Sequence, residues 1–144
     1  MKVLILNGPN LNMLGKREQH IYGSGSYSDL VEELKSLAIE LGVELDVFQS
    51  NHEGHLIDKV QSSVGLIDAL IINPGGLTHT SIALRDAVLC LGDIIKVEIH
   101  LSDIDKREDF RRQSFFSDIV TQVVKGEGRD GYKKSLKYVA ASKK

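Results

Sequence analysis

The chain has 144 residues, 42% of them hydrophobic and 26% charged, with a formal net charge of −2 and an isoelectric point near 6.2. That size and balance suit one soluble domain, residues 1–144, with a core of its own. They exclude an electrostatic nucleic-acid binder, and no apolar run approaches the roughly 20 residues of a membrane helix.

Val3 to Leu6 is a short continuous β-type run, too short for a signal-peptide core, stopped by Asn7-Gly8-Pro9-Asn10. The segment from Lys16 to Tyr27 has neither a helical nor a strand period and reads as a long loop over the end of that strand. Ser28 or Asp29 is then placed to cap a helix whose stripe is Leu30, Val31, Leu34, Leu37, Ala38 and Leu41, closed by Gly42. Val43, Leu45 and Val47 alternate with acids, as in a strand near a sheet edge. A second helix is expected from Gly54 to Val64, with Leu56, Ile57, Val60 and Val64 inward. Ala69 to Ile72 is apolar without a break, the pattern of a strand buried on both faces.

After Asn73-Pro74-Gly75-Gly76 a third helix is expected from Ser81 to Leu91, packing through Ile82, Ala83, Ala87, Val88 and Leu91. Cys90, the single cysteine, reads as a buried thiol of that helix; it cannot make an internal disulfide and fits a reducing, cytoplasmic compartment. Strands follow at Ile94–Ile99 and Ile119–Val124, then a last helix from Asp130 with Leu136, Val139 and Ala140 inward. Five rounds of strand and helix imply a parallel sheet covered on both faces. The flavodoxin-like order 2-1-3-4-5 is the expected α/β doubly wound arrangement.

In such sheets ligands bind beyond the carboxyl ends of the strands, and the unusual polar residues gather there. Asn7, Asn10, Asn12, Arg17 and Tyr22 follow the first strand, and Gln49 to Glu53 the second. Asn73, Thr78, His79 and Thr80 follow the third, and Glu98, His100 and Ser102 end the fourth. Thr78, Thr80 and Ser81 equally suit helix capping, and Pro9 and Pro74 equally suit strand termination. Glu98 and His100, two apart on a strand, share a face, so a carboxylate there can orient an imidazole for acid catalysis; a structural ion pair is the plainer alternative. Tyr22 becomes a base only if a cation such as Arg17 lowers its pKa from near 10. No dinucleotide or P-loop glycine pattern occurs. His52-Glu53-Gly54-His55 has the wrong spacing for a zinc-helix motif, so no metal site is expected.

Five ordered blocks carry a family resemblance. They are Asn7 to Glu18 with Tyr22-Gly23; Gln49 to Gly54; Asn73-Pro74-Gly75 with Thr78 to Ser81 and Asp86-Ala87; Val97 to Ser102; and Arg107-Glu108, Phe110-Arg111 and Ser114, ending in Gly126, Gly128 and Gly131-Tyr132. Together they resemble type II 3-dehydroquinate dehydratase over nearly the whole chain. The resemblance implies elimination of water from 3-dehydroquinate to give 3-dehydroshikimate, a step toward aromatic amino acids, with neither metal nor organic cofactor. It implies Tyr22 as base with Arg17 favouring its phenolate, His100 as general acid oriented by Glu98, and Asn12 at the enolate. Asn73, His79, Arg111, Leu101 and Ser102 would hold substrate, and Asp86 would reach the site of a neighbouring subunit in a dodecamer of trimers. Leu77, Gly76, Asp103, Asp105 and His55 depart from the family's usual residues at positions without a catalytic role.

Two readings from other classes compete. One is a flavodoxin-like module that binds a small acid or a flavin without turnover. The other is a hydrolase using Ser81 or Ser102 with His79 or His100, although no G-x-S-x-G turn is present.

Overall fold

The computed structural model describes residues 1–16, 20 and 25–142. Its strands are β1 (Lys2–Asn7), β2 (Glu44–Gln49), β3 (Ala69–Asn73), β4 (Ile95–His100) and β5 (Gln122–Lys125). All pair in parallel in the order β2-β1-β3-β4-β5, the arrangement expected from the alternation. The central strands β1 and β3 are the unbroken apolar runs, with Val3 to Leu6 and Ala69 to Ile72 at most 1% exposed. β2, with its alternating acids, is an edge strand, and so is β5. The pattern thus follows from position: β1 and β3, at the centre and covered on both faces, are apolar over these runs, while β4, also flanked by two strands, buries Lys96 and Glu98 beside the site.

Among the described residues four α-helices cover the sheet: α1 (Tyr27–Leu41), α2 (Glu53–Ser62), α3 (Ile82–Leu89) and α4 (Asp130–Ala141). Residues alternate across a strand, so the core divides in two. Val3, Ile5, Ala69, Ile71, Val97 and Ile99 face α1 and α4, meeting Leu30, Leu34, Leu136 and Val139. Leu4, Leu6, Leu70 and Ile72 face α2 and α3, meeting Leu56, Val60, Leu84 and Val88, with Phe116 from the segment after β4. Each of these valine, leucine, isoleucine and phenylalanine side chains, fully buried, contributes about 1.5–3 kcal/mol over exposure.

The elements depart from expectation at several points. α1 is capped by Ser26, not Ser28 or Asp29: the Ser26 side chain accepts from the Asp29 amide and the Asp29 carboxylate accepts from the Ser26 amide, a capping box. Tyr27 is already helical, so the cap lies one residue before the first apolar position and not beside Leu30. Gly42 closes the helix in the left-handed conformation, as expected. α2 ends at Ser62, leaving Val64 exposed. α3 buries Leu84, Ala87 and Val88, while Ile82, Ala83, Leu89 and Cys90 lie exposed. The expected buried thiol is therefore at the surface, because α3 is apolar nearly all round and only one of its faces meets the sheet. β5 begins three residues later than the apolar run from Ile119 suggested, since Ile119 turns into the α2–α3 core.

Candidate active site

The carboxyl ends of β1 and β3 are welded by backbone contact. The Gly8 amide donates to the Asn73 carbonyl at 2.8 Å. A methyl group on Gly8 would lie 2.2 Å from the Pro74 oxygen, and one on Gly75, whose φ is +61°, would lie 2.8 Å from the Pro9 oxygen. Only glycine allows this approach. It sets both strand ends against one rim, where the asparagines that follow them meet.

On the α1/α4 side of the sheet, Tyr132 at the start of α4 is wholly buried. Its hydroxyl donates to Asn7 Oδ1 at 2.6 Å and accepts from Asn73 Nδ2 at 3.0 Å. Asn73 Oδ1 accepts from the Gly75 amide at 3.1 Å, and Asn7 Nδ2 donates to the Tyr27 hydroxyl at 3.2 Å. The Asn73 side chain is thereby held from both ends. Burial pushes the Tyr132 phenol well above its usual range, so it remains a neutral hydrogen-bonding group.

The α2/α3 side carries the charge. Glu98 is fully buried and His100 is 5% exposed. His100 Nε2 donates to Glu98 Oε1 at 2.6 Å, which leaves Nδ1 as the other ring nitrogen for the cavity. Glu98 also accepts from Ser114 Oγ through Oε1 and from Ser117 Oγ through Oε2, each at 2.6 Å. Burial alone would push this carboxyl up; bonding and charge attraction from His100, with the two serine hydroxyls, outweigh burial and hold it below its ordinary range. His79 is bound on the other side of the same segment, its Nδ1 donating to the Gln113 carbonyl at 2.7 Å. Burial pushes His79 down, and the positive charge of His100 and Arg111 adds to this against the bond to Gln113. A neutral His79 follows, with Nε2 as acceptor.

Of the residues expected from sequence, Asn73, His79, His100, Leu101, Ser102 and Arg111 line one cavity of about 140 Å³. Arg111 is anchored to Glu108 and lies over Phe110. Ser102 accepts from Arg107, another lining residue, at 3.3 Å. Asn12 sits on the Leu11–Met13 turn, exposed, accepting from Gln49 Nε2 at 3.4 Å, and does not line the cavity. Asp86 is exposed on α3, also away from the cavity. Arg17 and Tyr22 lie outside the described residues. Ser81 caps α3 by accepting from the Leu84 amide; as neither Ser81 nor Ser102 bonds to a histidine among the described residues, the hydrolase reading loses its nucleophile. Gln113, Ser114, Ser117 and Tyr132 were not foreseen as parts of the site. The serines lie in the least periodic connection, and only the block endings at Ser114 and Gly131-Tyr132 hinted at them.

A family model for class II dehydroquinase matches residues 1–140. The chain belongs to the class II dehydroquinases. Among curated dehydroquinase relatives, a 3-dehydroquinate dehydratase from Prochlorococcus marinus is 52% identical over 141 residues, covering 98% of this chain and 97% of its own. A catabolic 3-dehydroquinase from Emericella nidulans is 49% identical over 138 residues, covering 96% and 90%. The crystal structure of the type II dehydroquinase from Butyrivibrio crossotus superposes with a TM-score of 0.94 at 40% identity, covering 96% of this chain and 97% of that one. The dehydroquinase fold is thus flavodoxin-like, as the strand order states. Among the described residues of this dehydroquinase no helix is long and apolar enough to cross a membrane.

Proposed function

We propose that this dehydroquinase converts 3-dehydroquinate to 3-dehydroshikimate by anti elimination through an enolate, with Tyr22 as base and His100 as general acid. The phenolate of Tyr22, favoured by Arg17, takes the proton beside the ketone, and the C–H electrons move onto the ketone oxygen. Asn12 stabilises that enolate. The carbonyl re-forms, the carbon–oxygen bond to the leaving hydroxyl breaks, and the His100 Nδ1 proton departs with it as water. The observation that carries this reading is the buried Glu98–His100 couple at a cavity also lined by Asn73, His79, Ser102 and Arg111. An acid oriented by a fixed carboxylate, beside an arginine and hydroxyl suited to a carboxylated polyol, is what such an elimination requires.

Positioned acids contribute about 10²–10⁴-fold. His100→Ala is accordingly expected to lower kcat within that range with little change in KM, and Arg111→Ala to raise KM. The test is ultraviolet absorbance on mixing the protein with 3-dehydroquinate: the conjugated enone should appear and withstand borohydride pretreatment. Loss of activity after borohydride with substrate would mean a lysine imine mechanism and would overturn the Tyr22 assignment. Binding without enone would favour the non-catalytic module.

We further propose that the chain assembles as trimers and then a dodecamer, with α3 at a subunit contact and Asp86 offered to the neighbour's site. The support is the exposed α3 face, on which Ile82, Asp86 and Leu89 recur at helical spacing beside Cys90. The substrate is a small molecule and no nucleic acid or membrane partner is involved. The reaction is placed in the cytoplasm on the strength of the single cysteine, which fits a reducing compartment.

A further inference from the structure

Glu98 is a carboxylate without solvent, and its state decides what His100 is able to do. One proton more than the neutral imidazole can sit in two ways on this couple. Either Glu98 is ionised and His100 is an imidazolium, or Glu98 is protonated and His100 is neutral. Both forms present an N–H at Nδ1, but only the imidazolium is a strong enough acid to protonate a leaving hydroxyl. Something must hold the proton on the imidazole, although burial favours the neutral pair.

The segment from Gln113 to Asp118 is built to do this. Ser114 and Ser117 give Glu98 one hydroxyl donor on each oxygen. The segment cannot swing away, because it is tied at several points. The Phe115 amide donates to the Thr78 carbonyl at 2.9 Å, and Phe116 is wholly buried in the α2–α3 core. Arg85 of α3 grips its far end, donating to the Phe115 carbonyl at 2.8 Å and making a two-armed ion pair with Asp118. Ser114 Oγ is itself oriented, accepting from the Phe116 amide at 3.0 Å and the Ser117 amide at 3.3 Å, which aims its proton at Glu98.

We propose that Ser114 and Ser117 are positioning residues whose hydroxyls keep Glu98 a carboxylate, so that the proton of the couple resides on His100. The proposal rests on His100 acting as the general acid. Among the described residues the other charged or titratable groups around the couple are few. Lys96, on β4, is bonded back to the Gly92 carbonyl. His79 and Arg111 stand at the cavity, Arg85 is committed to Asp118, and Lys125, paired in register with His100, is held by Asp105. None of these gives Glu98 a hydrogen bond, so among the described residues its hydrogen bonds come from the two serines and His100.

The experiment compares Ser117→Ala, Ser117→Thr and the Ser114→Ala/Ser117→Ala double variant in the enone assay across pH, with near-ultraviolet circular dichroism confirming the fold. A hydrogen bond to a charged group is worth about a factor of ten or more. Ser117→Ala should therefore lower kcat by up to about tenfold, leave KM within about twofold, and move the alkaline limb of kcat up by as much as about one pH unit, because the form with the proton on Glu98 holds it more tightly. Ser117→Thr, which restores the hydroxyl, should return both to near the parent values. Ser117 is exposed and holds only Glu98 by its side chain, so this variant keeps the test open even if the double variant fails to fold. An unmoved alkaline limb in folded Ser117→Ala, or threonine failing to rescue, overturns the proposal. His100→Ala, run alongside, separates the two levels. If it keeps parent-like kcat, the acid assignment falls and the proposal with it; if it loses activity while the Ser117→Ala limb stays in place, the positioning proposal alone falls.

Discussion

Replacing Tyr132 by phenylalanine removes one oxygen and leaves the ring, so no cavity is added to the cost. The hydroxyl makes two hydrogen bonds inside a fully buried site, to Asn7 at 2.6 Å and from Asn73 at 3.0 Å. Two neutral bonds contribute about 0.5–1.5 kcal/mol each, and Asn7, itself 1% exposed, is left with an oxygen that has no other donor among the described residues. Asn73 lines the cavity and regains a water, so its penalty is smaller. The expected loss is about 2–4 kcal/mol, or about 5–15 °C in Tm for a chain of this length. Urea unfolding at fixed protein concentration should show the loss in the midpoint with an unchanged slope. KM should rise in the same variant, because Asn73 is no longer held from both ends. Tyr27→Phe is the matched control: its hydroxyl only accepts a 3.2 Å bond in a half-buried place, and it should cost under about 1 kcal/mol. A Tyr132→Phe loss below about 0.5 kcal/mol would refute the claim that this hydroxyl ties β1, β3 and α4 together.

Other outcomes follow from the same geometry. Gly8→Ala puts a methyl group 2.2 Å from the Pro74 oxygen, and the nearest atoms are all Pro74 backbone, not a flexible side chain that could yield. A loss of at least about 3 kcal/mol or failure to fold is expected in thermal unfolding. Glu98 sits below its ordinary value near 4.5 in the folded state. It therefore adds stability that is present above that value and lost as pH falls through the lower, folded one. Urea midpoints measured from pH 6 to pH 3 should fall less steeply for Glu98→Gln than for the parent protein. Ile82→Glu, on the exposed face of α3, should leave the secondary structure intact while reducing the particle mass in light scattering; an unchanged mass would remove α3 from the proposed subunit contact.

Much of this was legible in the residues because the physics was local. Ala69 to Ile72 announced an interior strand by having no polar residue at all, and the period of two put Glu98 and His100 on one face, where they meet at 2.6 Å. Gly42 ended α1 because an L side chain is disfavoured at its φ of +67°. The misreadings share a cause in tertiary context. Ile82, Leu84, Leu89 and Cys90 surround α3, so no period distinguishes the face that meets the sheet from the one left outside. Two serines and an aspartate in Ser26-Tyr27-Ser28-Asp29 offer several caps, and only the reciprocal bond selects Ser26. Ser114, Ser117 and Tyr132 reach the site across 16, 19 and 59 residues of sequence to Glu98 and Asn73. A serine in an aperiodic loop, or a tyrosine in a helix's first turn, has nothing in its neighbours to say so.

The sheet runs through the site as a partition. The amide and phenol groups that hold Asn73 lie on its α1/α4 side, and the charged couple with its serines lies on the other. Each network is built from its own helices and loops and shares no member with the other, so changes in the two should combine additively. The support of Asn73 and the support of Glu98 are then separable inheritances. On the proposed roles, a lineage, or an engineer, is free to change how Asn7 and Asn73 are held while Glu98 keeps its own donors.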